Sequence, residues 1–298
     1  MLQMSPEIFI QLFTILGTRE RRRNVEDQEI VPLPLVYALL YYIKETVQYA
    51  SVLEAVKEAA QGYEIQNFKP EKIMTDFEKG IINACEEVYP GVPISCCFFH
   101  LKHSMYRKIQ EVGLQTQYND AEDDTIRVET NMIPALAFVP TNEVSRVFCL
   151  LQEEVNHALQ PVIQYFGETY VIGRRARGRR RAVAPRYMPA IWNQYDAALA
   201  GEQKTNNLQE GWHNRFNIFV GKAHPDLYTL ISELQKEQAH TESIVAELSA
   251  GKRVKALPQK KWLDAQIRMR RILETYEEHV EDETEMEYLQ NLSQNIYI

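Results

Sequence analysis

Ile73-Met74-Thr75-Asp76-Phe77-Glu78 reads as a strand end running into a helix start, and the rest of the chain is organised around it. The strand, Lys72 to Thr75, is short and mostly apolar; the helix after Asp76 runs to about Tyr89, where Pro90 and Gly91 stop it. Another strand is expected at Val92 to Phe99. Upstream, Glu7 to Thr18 and Ile30 to Tyr42 are rich in β-branched, aromatic and leucine residues and flank a charged stretch, the pattern of a hairpin. Ser51, with Glu54 three residues on, reads as a capping box for a helix whose apolar stripe is Leu53, Val56, Ala59 and Ala60. The order strand, strand, helix, strand, helix, strand predicts an α/β fold, a mixed sheet covered by helical crossovers.

Beyond His100 the period changes. Leu101 to Val112, Val144 to Phe166, Pro225 to Leu248 and Trp262 to Tyr276 carry helix-spaced apolar residues and almost no strand signal. This predicts a core of 1–100 and 200–222, a helical insertion at 101–199 with a basic loop at 174–185, C-terminal helices at 223–273, and an acidic tail at 274–298.

The composition, 45% apolar and 25% charged over 298 residues, excludes a wholly disordered or collagen-like chain. The longest apolar run, Val31 to Ile43, has 13 residues and two prolines, short of the roughly 20 that cross a bilayer. Met1 to Ser5 shows no secretory leader, so an intracellular, reducing setting is expected, with Cys85, Cys96, Cys97 and Cys149 as buried thiols. The net charge of −8 hides an uneven distribution: eight acids and no Lys or Arg lie between Glu274 and Glu287, leaving 33 charges of each sign elsewhere. Two dense basic runs stand in that neutral body, Arg19, Arg21, Arg22 and Arg23, then Arg174, Arg175, Arg177, Arg179, Arg180 and Arg181. Each reads as a solvated loop or as a phosphate-contacting one.

Asp76, at a strand end, is either a helix N-cap or a ligand-presenting acid. Glu210, His213 and Asn214 share one side of a helix whose apolar face is Trp212, Phe216, Phe219 and Val220; alone, such a glutamate reads as solvated. Cys97 and His100, with His103 beyond, have a short zinc-like spacing but no second pair to complete four ligands, so a buried Cys beside a hydrogen-bonded His competes with metal and with a supporting active-site role.

Taken together, Thr75-Asp76-Phe77-Glu78, Cys97-Phe98-Phe99-His100, Tyr106-Arg107-Lys108-Ile109-Gln110, Pro134 to Pro140, Trp192-Asn193, and Thr205-Asn206-Asn207 to Glu210-Gly211-Trp212-His213-Asn214 with His224-Pro225 resemble the transposase domain of Mutator-like DNA elements, from about Pro6 to Leu248. The resemblance implies an RNase H-like fold with a helical insertion, Mg²⁺ held by three acids for DNA strand cleavage and transfer, DNA as partner, self-association, and a nuclear site of action. It assigns Asp76 and Glu210 as the second and third catalytic, Mg²⁺-holding acids and Cys97 with His100 as a supporting signature. It assigns the first acid to a strand before Glu7, for which these residues hold no counterpart: no Asp precedes Asp27, which lies in the hairpin connection. The expectation is an N-terminally truncated transposase core, inactive as given, acting as a domesticated nucleic-acid or protein-binding module or standing as a fragment of an active enzyme. The 134-residue separation of Asp76 and Glu210 matches an insertion rather than a bare crossover.

Overall fold

The computed structural model describes residues 11–21, 29–40, 45–62, 68–176, 181–202, 207–221, 225–252 and 260–296. In chain order the elements are β1 (Gln11–Arg21), β2 (Glu29–Leu40), α1 (Thr46–Gly62), β3 (Ile73–Thr75), α2 (Lys79–Val88), β4 (Ile94–Cys96), α3 (Phe98–Glu111), α4 (Gln115–Tyr118), α5 (Thr125–Ala135), α6 (Val144–Glu154), α7 (Gln160–Phe166), α8 (Pro189–Trp192), α9 (Tyr195–Leu199), α10 (Asn207–Val220), α11 (Leu227–Ser249), α12 (Lys260–Glu274), α13 (Tyr276–Glu281) and α14 (Glu285–Asn295). The architecture is α/β and mostly helical. No helix among the described residues is long and apolar enough to cross a membrane.

The chain divides into two compact units, one of Met1–Pro70, Lys79–Gly91 and Asn207–Pro258, the other of Glu71–Glu78, Val92–Asn206 and Gln259–Ile298. Among the described residues the expected mixed sheet is instead two separate strand pairs: β1 with β2, antiparallel, and β3 with β4, parallel. The first pair lies in the first unit, the second in the other.

In the first unit the hairpin runs further than its apolar residues suggest, since β1 continues through Arg19 and Arg21, opposite Val31 and Glu29. Pro32 and Pro34 sit in β2, where a two-stranded ribbon leaves one edge without ladder bonds to lose, and the register shifts at Ile15/Leu16 beside Pro34. Helix α1 packs on α2 through Tyr49, Leu53 and Ala60 on one side and Ile81, Ile82, Cys85 and Val88 on the other. It starts at Thr46, so Ser51 is not its cap; the Ser51 hydroxyl donates to the Val47 carbonyl one turn back, and Ala59 is exposed. The reason is periodic: Tyr49 extends the inward stripe of Leu53, half-buried Val56 and Ala60 one turn upstream. Lys57 Nζ donates to the Val88 carbonyl at 3.3 Å, covering the end of α2.

In the second unit, α5 and the turn after it form the spine: Ile133, Ala135, Leu136, Ala137, Phe138 and Val139 are almost wholly buried. Helices α3, α4 and α14 pack around α5. The expected helix Val144 to Phe166 is broken at Val155–Asn156, where the Asn156 side chain accepts from Ala158 N–H to start a short turn leading into α7. The segment 274–298 carries two helices, not a solvated tail: Tyr288, Leu289 and Leu292 are fully buried, and the Tyr288 hydroxyl donates to the Phe138 carbonyl at 2.6 Å. Its buried acid Glu285 accepts from Arg146 at 2.5 Å. Full burial of one such leucine is worth about 1.5–3 kcal/mol, so this segment is part of the core.

Candidate functional site

The site is built at the carboxyl ends of two short parallel strands. Ile73, Met74 and Thr75 pair with Ile94, Ser95 and Cys96. Two flanking bonds zip the pair shut: Ile73 N–H to the Pro93 carbonyl and Cys97 N–H to the Thr75 carbonyl, both 2.9 Å. Asp76 and Cys97 therefore step off adjacent strands at the same edge, the place where open α/β sheets present ligand-binding groups.

The chain then turns at once into α3, with Cys97 as N-cap. This corrects the strand expected to run to Phe99: Phe98, Phe99 and His100 form the first helical turn, and Phe98 is pulled into the core against Phe138, ring centroids 4.8 Å apart. The turn brings His100 back over the strand end, its Nδ1 3.2 Å from Asp76 Oδ1. Asp76 is no helix cap, since α2 begins only at Lys79. Its side chain is 49% exposed and that of His100 30%, so both remain open to solvent. The Cys97 thiol, by contrast, is buried.

A second layer, not foreseen from sequence, fixes this corner. The Tyr187 hydroxyl donates to the Phe77 carbonyl at 2.6 Å, directly after Asp76, and the Phe77 ring meets Tyr187 and Tyr170 edge-on at 5.0 and 5.4 Å. Burial raises the Tyr187 phenol above its ordinary value, which keeps it a protonated donor. Trp192 Nε1–H is shared between the Tyr170 and Tyr187 carbonyls, and the buried Gln194 amide donates to Ser95 Oγ at 3.1 Å and the Cys96 carbonyl at 3.0 Å. The available signal was a polar Gln directly after the Trp192-Asn193 motif.

With this geometry in view, the comparison with known families is decisive over one stretch. Residues 7–104 match the MULE transposase domain. The match covers about a third of the chain, over which it is similar to a transposase domain, and Asp76, Cys97 and His100 all fall inside it. Glu210 and the arginines of 174–181 lie beyond it. No curated protein and no solved structure matches the chain.

Glu210 belongs to the first turn of α10, in the other unit, and its side chain lies outside the described residues. Of the expected apolar face of α10, Trp212 and Phe216 are buried and stacked at 5.0 Å, whereas Phe219 is exposed. Arg177, Arg179 and Arg180 also lie outside the described residues; Arg174, Arg175 and Arg181 are exposed. Cys149 is exposed, unlike the other three cysteines, against the expectation of four buried thiols. Cys85 has its thiol pushed up to about 11, by burial first and then by the neighbouring Glu86.

The matched transposase domain suggests use of a divalent metal. Asp76 supplies the hard, solvent-open oxygen that Mg²⁺ favours, next to an imidazole that it favours less. Among the described residues no three His, Cys, Asp or Glu side chains are placed to hold an ion, so Cys97, His100 and His103 make no zinc cluster there. The described residues alone do not fit a two-ion site, which needs several carboxylate ligands.

Proposed function

We propose that this chain derives from a Mutator-like transposase whose ancestral reaction is Mg²⁺-dependent DNA strand cleavage and transfer in the nucleus, with Asp76 and Glu210 as its second and third acids and Cys97 with His100 as the supporting signature. The observation that carries the reading is Asp76, exposed at the end of β3 within the matched stretch, beside His100. In such chemistry, metal ions activate the attacking oxygen and stabilise the leaving one. The part of this chain is to hold a carboxylate at a strand end, and the Tyr187 and Gln194 bonds keep that end in place.

A polypeptide of these 298 residues brings two of the three acids, and two leave a metal pair underliganded. These residues by themselves are therefore expected not to cut DNA. The test is incubation of the full chain with supercoiled plasmid and Mg²⁺ or Mn²⁺. No nicking is expected. Metal-dependent nicking lost in both Asp76→Ala and Glu210→Gln overturns the inactivity, and nicking untouched by either overturns the assignment of the site.

A further inference from the structure

Between Glu168 and Asp196 the sequence holds seven arginines and no Asp, Glu or Lys. The structure pins the base of this stretch. Arg174 and Val183 exchange both backbone bonds, at 2.8 and 2.9 Å, as an isolated antiparallel bridge. Gly173 precedes it at φ +71°, where any Cβ would collide with the Val183 carbonyl, so only glycine permits this closure. Arg174, Arg175 and Arg181 thereby line one concavity together, exposed and with no ion pair among the described residues.

The concavity is about 1380 Å³, above the 300–1,000 Å³ of small-molecule pockets, which favours a polymer over a metabolite. Ile172 and Val183, 41% and 51% exposed, give it an apolar wall, and Gln160 adds an amide. Among the described residues of its lining the one acid, Glu168, accepts a hydrogen bond from Gln164 at 2.9 Å. Arginine is the cation whose planar fork matches phosphate, and a cluster without lysine selects for that geometry over bare charge. The acidic helices of 274–298 do not compete for it as a free tail, because their apolar faces are buried in the core.

We infer that the bridged arginine cluster Arg174, Arg175 and Arg181 is a binding site for the phosphate backbone of duplex DNA, without sequence preference, its apolar wall packing against the sugar edge. The choice of DNA over other polyanions rests on the transposase-related reading; the binding itself needs neither Asp76 nor a metal.

The test measures binding of the full chain to a fluorescent 30-base-pair duplex of arbitrary sequence in EDTA across a potassium chloride series. EDTA makes the outcome independent of any cleavage chemistry. Affinity is expected to fall steeply with salt, at a log–log slope of roughly −0.9 per phosphate engaged. The triple variant Arg174→Gln/Arg175→Gln/Arg181→Gln, checked for an unchanged circular dichroism spectrum and melting temperature, should bind at least about tenfold more weakly at low salt, with the slope shallower by about 2–3. A second variant with lysine at the three positions should recover the slope more than the affinity. Unchanged affinity and slope in the triple glutamine variant overturn the proposal. So does displacement of the duplex by polyglutamate at lower concentration than by unlabelled DNA, which would mark an acidic protein partner instead.

Discussion

The corner that presents Asp76 and the helix that carries Glu210 are fixed by different means. Around Asp76, in one unit, the support is an aromatic frame: Phe77 meets Tyr170 and Tyr187 edge-on, Tyr170 meets Trp192 edge-on, and the Tyr187 hydroxyl and Trp192 indole N–H donate to backbone carbonyls. Helix α10, in the other unit, is held on α11 by a stacked Trp212–Phe216 pair and one buried acid, Glu237, which accepts from Trp212 Nε1 at 2.7 Å and pairs with Arg215. Beyond that knot Ile218 and Tyr228 are 81% and 86% exposed. The first arrangement spreads its stabilisation over many contacts and tolerates the loss of any single hydrogen bond. The second concentrates it on one carboxylate, so its geometry depends on one residue and its charge.

The sharpest way to break the comparison is at the frame's centre. Trp192→Ala removes a fully buried side chain and two shared hydrogen bonds, and should cost about 3–5 kcal/mol in denaturant unfolding. A loss under about 1 kcal/mol would mean that the frame does not hold the corner. Next in size is Glu237→Gln, which keeps the shape but strips the charge from under Arg215. A loss of about 1–3 kcal/mol is expected, and a double-mutant cycle with Arg215→Gln should show that the two losses are not additive. Additive losses would show that the knot is two unrelated contacts. The smallest effect belongs to Tyr187→Phe, which deletes one bond inside an otherwise intact frame; the melting temperature should drop by the equivalent of about 0.5–1.5 kcal/mol. A drop as large as that of Trp192→Ala would make the frame as concentrated as the α10 knot.

What was legible in the sequence followed local signals. The strand before Asp76, the stop at Pro90 and Gly91 and the hairpin pairing each rest on residues within one turn of the feature. The failures share a cause in tertiary packing. Cys97-Phe98-Phe99 has strong β preference, yet Phe98 enters the core as the first turn of α3. The Ser51–Glu54 spacing fits a cap and a helix interior equally, and only the burial of Tyr49 decides for the interior. In the last segment the acids outnumber and mask the spacing of Tyr288, Leu289 and Leu292, whose partners lie far upstream. At the site, Asp76 was placed by its strand, but Tyr187 and Gln194 reach it from more than 90 residues away, and no local pattern announces such a bond.

The clasp between Tyr288 and Phe138 also sets an order of events during synthesis. Its two ends are 150 residues apart, and the whole first-unit segment Asn207–Pro258 is made in between. At a ribosomal pace of about 5–20 residues per second, the spine around Phe138 waits about 8–30 s for the helix that covers it. During that interval the nascent chain displays a greasy, half-finished surface, a natural client for a chaperone, and translation speed through 207–285 governs how long the exposure lasts.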